Sequence, residues 1–225
     1  MKLKSVALDG PSGAGKSVLA RRAAKHFGFI YVDTGALYRC IGLHTLRNGI
    51  GSKDKVAVSG LLGDIKLDMM YDDDAVQRVL LNGEDVSDAI RMPEVSIYAS
   101  DVSAFPVVRA FLLDMQREMA EKYDVIMDGR DIGTVVLPNA GLKVFLTAKP
   151  EVRAQRRYLE LKANNIETSF EDVLRDINIR DQNDSGRDVA PLRAADDAVL
   201  FDTSDLNLEE SISALCEIIA GRFGL

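Results

Sequence analysis

Cysteine is scarce in this 225-residue chain, and Cys40 and Cys216 form neither a CxxC pair nor a disulfide framework. That excludes a disulfide-stapled scaffold and fits a reducing compartment. Long apolar runs are missing too; none approaches the roughly 18 to 20 residues that span a bilayer. The opening MKLKSVALDG passes from two lysines into a short strand-like run. It lacks the apolar stretch and small-residue cleavage site of a secretory leader, so a cytoplasmic protein is expected, with no membrane partner. The two histidines, His26 and His44, have no partner at metal-ligand spacing. No repeat or low-complexity tract interrupts the chain. What remains is 47% apolar and 28% charged, with mean hydropathy −0.03. Such a chain makes one globular domain with its own core, burying roughly 70% of the surface that the unfolded chain exposes.

Net charge is −7 and pI about 5.0, which argues against a nucleic-acid coat protein. The distribution says more. Between Asp64 and Glu94 nine acidic residues stand against three basic ones, a net −6. From Ser100 to Arg193 the cations are ten arginines and only four lysines. Arginine offers a planar bidentate fork that suits phosphate and carboxylate, so the bias points to bound oxyanions.

Ser5–Asp9 reads as a buried strand, followed by a helix from Lys16 to Phe27 with Leu19, Ala23 and Phe27 at four-residue spacing and Gly28 as C-cap. A short strand over Phe29–Val32 and a helix from Thr34 to about Asn48-Gly49 complete a βαβ rhythm, hence a parallel sheet. The acidic stretch breaks it. Alternation over Ile65–Met69 and at Val79–Leu81, running into Asn82-Gly83, predicts a small antiparallel insertion at about residues 60–92. Helices start at Pro93 and Pro106, the second burying Val107, Phe111, Met115 and Met119. Strands come next at Val125–Met127, Leu142–Leu146 and Ala198–Phe201. Further helices run from Pro150, from the cap Ser169, and at the C-terminus through Leu208, Ile212, Leu215 and Ile219.

Gly10-Pro11-Ser12-Gly13-Ala14-Gly15-Lys16-Ser17 satisfies GxxxxGK[ST] between a strand and a helix, the context a phosphate-binding P-loop requires. Its glycines let backbone N–H groups wrap phosphate oxygens, the helix N-terminus adds its dipole, and Lys16 reaches the β/γ-phosphates. The Ser17 hydroxyl is placed to ligate Mg²⁺. Asp128, ending a buried strand, can hold a water of that ion. A nucleoside triphosphate and Mg²⁺ are therefore the expected cofactors. The motif is silent on the chemistry that a bound nucleotide undergoes. A switch GTPase would need a downstream NKxD-type motif, which is absent, whereas a small-molecule kinase needs a second anion site, which the arginines can supply.

Further blocks occur in order: Asp33-Thr-Gly-Ala-Leu-Tyr-Arg39, Ala104-Phe-Pro-Val-Val-Arg109, Asp128-Gly-Arg-Asp-Ile-Gly-Thr134, Arg180-Asp, and Arg187-Asp-Val-Ala-Pro-Leu192. Together with the P-loop they resemble the bacterial cytidylate (CMP/dCMP) kinases, from Ser5 to about Asp202. The resemblance implies a three-layer α/β P-loop kinase core with a mostly parallel sheet. It adds a nucleoside-monophosphate-binding region at about 35–105, containing the acidic insertion, and a helical lid at about 153–188. It implies that Thr34, Arg109 and Asp131 contact cytosine, that Arg39, Arg130 and Arg187 grip the acceptor α-phosphate, and that Ser100, Arg180 and Asp184 lie near the pentose. Arg153 would flank adenine, and Arg157 would reach the transferring phosphoryl group. Lys16, Arg130, Arg157 and Arg180 form the expected catalytic set, and Gly10 to Val18 with Arg153 and Arg157 the ATP-binding set.

An Asp131 carboxylate can accept from the exocyclic amine of cytosine, where uracil has only an acceptor. Arg156, Arg175 and Arg193 read as ordinary salt-bridge residues, and both cysteines as packed thiols. One departure stands out: Val18 occupies a position usually held by threonine in that family, which removes a hydroxyl from the donor α-phosphate. The expected reaction passes a phosphoryl group from ATP to CMP or dCMP in a monomer without nucleic-acid partners. A kinase for UMP or shikimate, and an ATP-binding regulator without an acceptor, stay open at this point.

Overall fold

The computed structural model describes residues 3–72, 76–163 and 165–225. Five parallel strands form the main sheet: β1 (Ser5–Asp9), β2 (Ile30–Asp33), β6 (Val125–Gly129), β7 (Leu142–Thr147) and β8 (Val199–Asp202), in spatial order β2-β6-β1-β7-β8. Alternate residues of β1 enter different cores, as the two-residue strand period demands. Val6 and Leu8 pack with Leu19, Ala20 and Ala23 of α1 (Lys16–Phe27) and Leu215 and Ile219 of α8 (Leu208–Phe223). Ala7 faces the other side, with Val32, Met127, and Leu113 and Met119 of α5 (Pro106–Lys122). Helices on both faces make three layers, as expected.

The terminators are those that backbone chemistry favours. Gly28 closes α1 at φ 68°, donating to the Ala24 carbonyl. Asp33 caps α2 (Thr34–Arg47), its side chain accepting from the Ala36 N–H at 3.0 Å. Ser169 caps α7 (Phe170–Ser185) through the Asp172 N–H. α2 crosses α4 (Pro93–Val102) so closely that a Cβ at Gly42 would stand 2.8 Å from the Ala99 nitrogen.

Between α2 and α4 lies α3 (Lys55–Leu61), then a three-stranded antiparallel sheet of β3 (Leu67–Tyr71), β4 (Gln77–Leu81) and β5 (Glu84–Asp85). This is the expected acidic insertion. Asn82 and Gly83, both at positive φ (52° and 86°), turn β4 into β5. Leu67, Val79 and Leu81 join a core with Leu37 and Ile41 of α2, Val95 of α4 and Leu112 of α5. After β7, α6 (Pro150–Ala163) and α7 pair through Ala154, Val173 and Ile177.

The face of α5 differs from the expected one. Val107 and Phe111 are 38% and 37% exposed, and the buried stripe runs through Val108, Leu112 and Gln116, with Met115 and Met119 half-buried beside it. Gln116 sits in the stripe at 1% exposure, a position that a count of apolar residues passes over. In the last helix Leu215 and Ile219 are fully buried and Ile212 packs at the margin, but Leu208 is 46% exposed, because it is the first helical residue.

Candidate active site

Three strand ends meet at the carboxyl edge of the sheet, where open α/β folds collect their ligands. β1 ends in Asp9 and runs into the P-loop. Gly10 takes φ 150°, and a Cβ there would overlap the Leu146 carbonyl oxygen at 1.9 Å, so only glycine fits between β1 and β7. Lys16 is buried, its Nζ donating to the Gly10 and Pro11 carbonyls at 2.8 Å each. Burial and the neighbouring Arg130 hold its ammonium below the ordinary lysine range, against the pull of Asp128, Asp184 and Asp9. An arriving phosphate would restore the balance.

The last residue but one of β6 is Asp128, whose carboxylate accepts from the Ser17 hydroxyl at 2.8 Å and the Tyr31 hydroxyl at 3.2 Å. Burial, with Asp33 nearby, pushes this carboxyl above its ordinary range. Thr34 is buried, its hydroxyl donating to the Asp128 carbonyl at 2.7 Å. That bond leaves its oxygen able to accept from a ligand.

Beyond β6 the chain turns through Arg130 and Asp131 into a π-helical turn, Ile132–Val136. Two anchors shape it. Asp9 accepts from the Ile132 and Gly133 N–H groups at 2.8 and 2.7 Å. Arg117 of α5 donates to the Val136 and Val135 carbonyls at 3.0 and 3.1 Å. Burial raises the Asp9 carboxyl to about 6 in spite of those two amides. Neither anchor is legible in the sequence. The only signal for Asp9 is an acid ending an apolar strand directly before Gly10.

The arginines divide into paired and unpaired. Arg109 ion-pairs with Asp131, the two side chains 10% and 6% exposed, and also donates to the Ser103 carbonyl at 3.2 Å. Its guanidinium lies 5.6 Å above the Tyr38 ring centre. Asp184 bridges two cations: Arg130 Nε at 2.8 Å and Arg187 Nη2 at 2.6 Å, and the latter also donates to the Ser103 hydroxyl at 2.9 Å. Sequence reasoning misses Ser103 altogether. Ser100, half-buried on α4, contributes its carbonyl to the Ser103 hydroxyl at 2.8 Å. Arg39 approaches Asp33 at 3.7 Å, and Arg157 pairs with Glu160 at 2.8 Å.

Arg180 makes no hydrogen bond or ion pair with the described residues. It is half-buried, and burial with Arg157 and Arg130 depresses its pKa, Asp176 opposing and Arg39 adding to the depression. Arg157, Arg130 and Arg39 thus all bear on Arg180, and Arg130 bears on Lys16 as well, an arrangement that costs energy until an anion joins it.

Arg153, the residue expected to flank adenine, is buried. Its side chain is 4% exposed and donates to the Ser12 carbonyl at 3.0 Å, the Ala148 carbonyl at 2.8 Å and both oxygens of Asp181 at 3.1 and 2.6 Å. It ties the P-loop to α6 and α7. Val18 is 41% exposed at the loop's rim. Arg156 binds the Thr203 and Leu206 carbonyls, while Arg175 and Arg193 pair with Asp172 and Asp196. Cys40 is buried and Cys216 half-buried, both free thiols.

A family model described as cytidylate kinase matches residues 6–221. The chain is 48% identical over 220 residues to the cytidylate kinase of Caldicellulosiruptor bescii, covering 97% of this chain and 96% of that protein. It is 49% identical over 216 residues to the cytidylate kinase of Caldanaerobacter subterraneus subsp. tengcongensis, covering 95% and 93%. Among solved structures, a shikimate kinase from Bacteroides thetaiotaomicron shares the fold at TM-score 0.50 and 15% identity, over 99% of both chains.

Proposed function

The chain belongs to the cytidylate kinase family, and on that premise we propose that it transfers the γ-phosphoryl group of Mg-ATP to CMP or dCMP, giving ADP and CDP or dCDP. At the coarser level it is an ATP-dependent nucleoside monophosphate kinase acting on small nucleotides. The observation that best supports the reading is Arg180, which has no ion-pair partner among the described residues and feels Arg157, Arg130 and Arg39, with Arg130 also acting on the buried Lys16. Phosphoryl transfer needs that arrangement, because positioning and neutralisation of the equatorial oxygens supply most of its catalysis. No covalent intermediate or dedicated base is required.

In this reading the P-loop from Gly10 to Val18 wraps the donor phosphates, and Lys16, Arg130, Arg157 and Arg180 surround the transferring group. Arg39, Arg130 and Arg187 hold the acceptor phosphate, and Ser100, Arg180 and Asp184 face its pentose. Thr34, Arg109 and Asp131 read its base: Asp131 spends Oδ2 on Arg109, and its Oδ1 accepts from the cytosine amine. The Ser17 hydroxyl and the Asp128 carboxylate, 2.8 Å apart, are hard oxygen donors of the kind Mg²⁺ takes beside phosphate oxygens and water, so they fit the ion. Bound there, Mg²⁺ would neutralise charge on the donor phosphates. Residues of about 35–105 form the acceptor-binding region. The α6–α7 unit, about 153–188, acts as a lid whose closure excludes water, with Arg153 as its joint to the P-loop. Arg153, held against Ser12 and Asp181, flanks adenine in this reading.

An ADP-release assay with Mg-ATP and CMP, dCMP, UMP, AMP, shikimate or no acceptor tests the proposal. Turnover confined to CMP and dCMP is the expected outcome. Equal rates with UMP would remove Asp131 from base recognition, and ADP formed without acceptor would overturn the kinase assignment.

A further inference from the structure

β2 is an edge strand of the main sheet, so one side of its backbone has no neighbouring strand. Two side chains of the insertion stand where that neighbour would be. Gln77, at the start of β4, accepts from the Asp33 N–H through Oε1 at 2.8 Å and donates from Nε2 to the Asp33 carbonyl at 3.3 Å. Tyr71, its cross-strand partner on β3, donates its hydroxyl to the Tyr31 carbonyl at 3.0 Å. Gln77 and Asp33 are each 8% exposed. One amide therefore satisfies both backbone groups of a single buried residue.

That residue is a junction. Asp33 ends β2, caps α2 through Oδ1, and lies 3.7 Å from Arg39 through Oδ2. Gly35 leaves room for the arrangement: a Cβ there would stand 3.1 Å from Asp33 Oδ1 and 3.3 Å from Arg39 Nη1. The direction of the Asp33 carboxylate, and with it the reach of Arg39, depends on how its backbone is held. β6 holds one side of β2, and Gln77 holds the other.

We propose that Gln77 is a positioning residue for the acceptor phosphate, acting from the insertion through Asp33 on Arg39. This rests on the reading of Arg39 as a phosphate-gripping group. It makes the insertion part of acceptor recognition although Gln77 itself touches no substrate.

Steady-state kinetics on Gln77→Leu, Arg39→Ala and the double variant test the proposal, with thermal melts beside them. Gln77→Leu should raise KM for CMP about tenfold, the cost of two backbone hydrogen bonds, while KM for ATP stays within about twofold. In the Arg39→Ala background the same substitution should add almost nothing, because its route to the phosphate is already cut. Should Gln77→Leu fold poorly, Gln77→Glu keeps the shape and the acceptor half of the contact and should give an intermediate rise. An unchanged KM for CMP, an equal rise for ATP, or full additivity with Arg39→Ala would overturn the proposal. If Arg39→Ala itself leaves KM for CMP unchanged, the reading of Arg39 fails, which the single variant alone reveals.

Discussion

Replacing Asp131 separates recognition from stability. Asp131 and Arg109 form a buried ion pair, and removing one partner of such a pair costs about 3–5 kcal/mol because the other charge stays desolvated. Here Arg109 keeps the Ser103 carbonyl and the face of Tyr38, so Asp131→Ala should fall at the lower end, about 3 kcal/mol. For a domain of this size each kcal/mol moves the melting temperature by about 2–4 °C, giving a fall of roughly 6–12 °C. Asp131→Asn keeps the shape and should cost less. Its amide can donate to a carbonyl where the carboxylate accepted from an amine. One hydrogen bond to a charged group is worth about 1.5–3 kcal/mol. The ratio of kcat/KM for CMP over UMP should therefore drop by about 10–150-fold in Asp131→Asn, read from ADP release with each acceptor. A control, Arg109→Met with Asp131→Leu, should recover much of the melting temperature while discrimination stays lost. A folded Asp131→Asn enzyme with the wild-type CMP/UMP ratio would refute the argument that this carboxylate reads the base.

Three further outcomes are expected. Lys16→Ala should lower kcat by about 10²–10³-fold with an undiminished melting temperature, since the buried ammonium is costly to the free protein; near-normal turnover would remove Lys16 from the phosphoryl path. Val18→Thr, nearly isosteric at an exposed rim position, should lower KM for ATP by about 2–10-fold through one added hydrogen bond, and no change would show the hydroxyl to be redundant. Asp9 has a raised carboxyl in the folded state, about 6 against 3.8, so the native protein binds the extra proton between those values. Its contribution to stability is fully present below pH 3.8 and is lost as pH rises through about 6, on the order of 3 kcal/mol in all. Urea unfolding across pH 4 to 7 should show a shallower decline for Asp9→Asn than for wild type; parallel curves would contradict the assignment.

The parts legible in the sequence are those written in local chemistry. The P-loop needs glycines and a lysine at fixed spacing, and the Asn82-Gly83 turn needs two positive φ angles; both show directly in the letters. Capping at Asp33 and Ser169 is similarly local. The contacts that escape are distant in the chain. Asp9 meets Ile132 and Gly133 across more than 120 residues, and Gln77 meets Asp33 across 44. Nothing near either residue announces its partner. The face of α5 misleads because its buried stripe carries Gln116, while Val107 and Phe111, adjacent to it in register, stay half outside. Resemblance puts Arg153 beside adenine. Its hydrogen bonds to Ser12, Ala148 and Asp181 are visible only once α6 and α7 are docked.

The two margins of the main sheet meet the danger of edge-to-edge aggregation in opposite ways. At β8, Val199 and Leu200 are 40% and 70% exposed, and protection there rests on the strand's four-residue length, on Asp196 and Asp197 just before it and on Asp202 at its end. At β2 the outward backbone is masked by a glutamine and a tyrosine belonging to another sheet. A sixth strand would mask it as well, but would fuse the insertion rigidly to the core. Side-chain plugs keep the margin from recruiting a second chain and tie the insertion to β2 at only two residues, Tyr31 and Asp33.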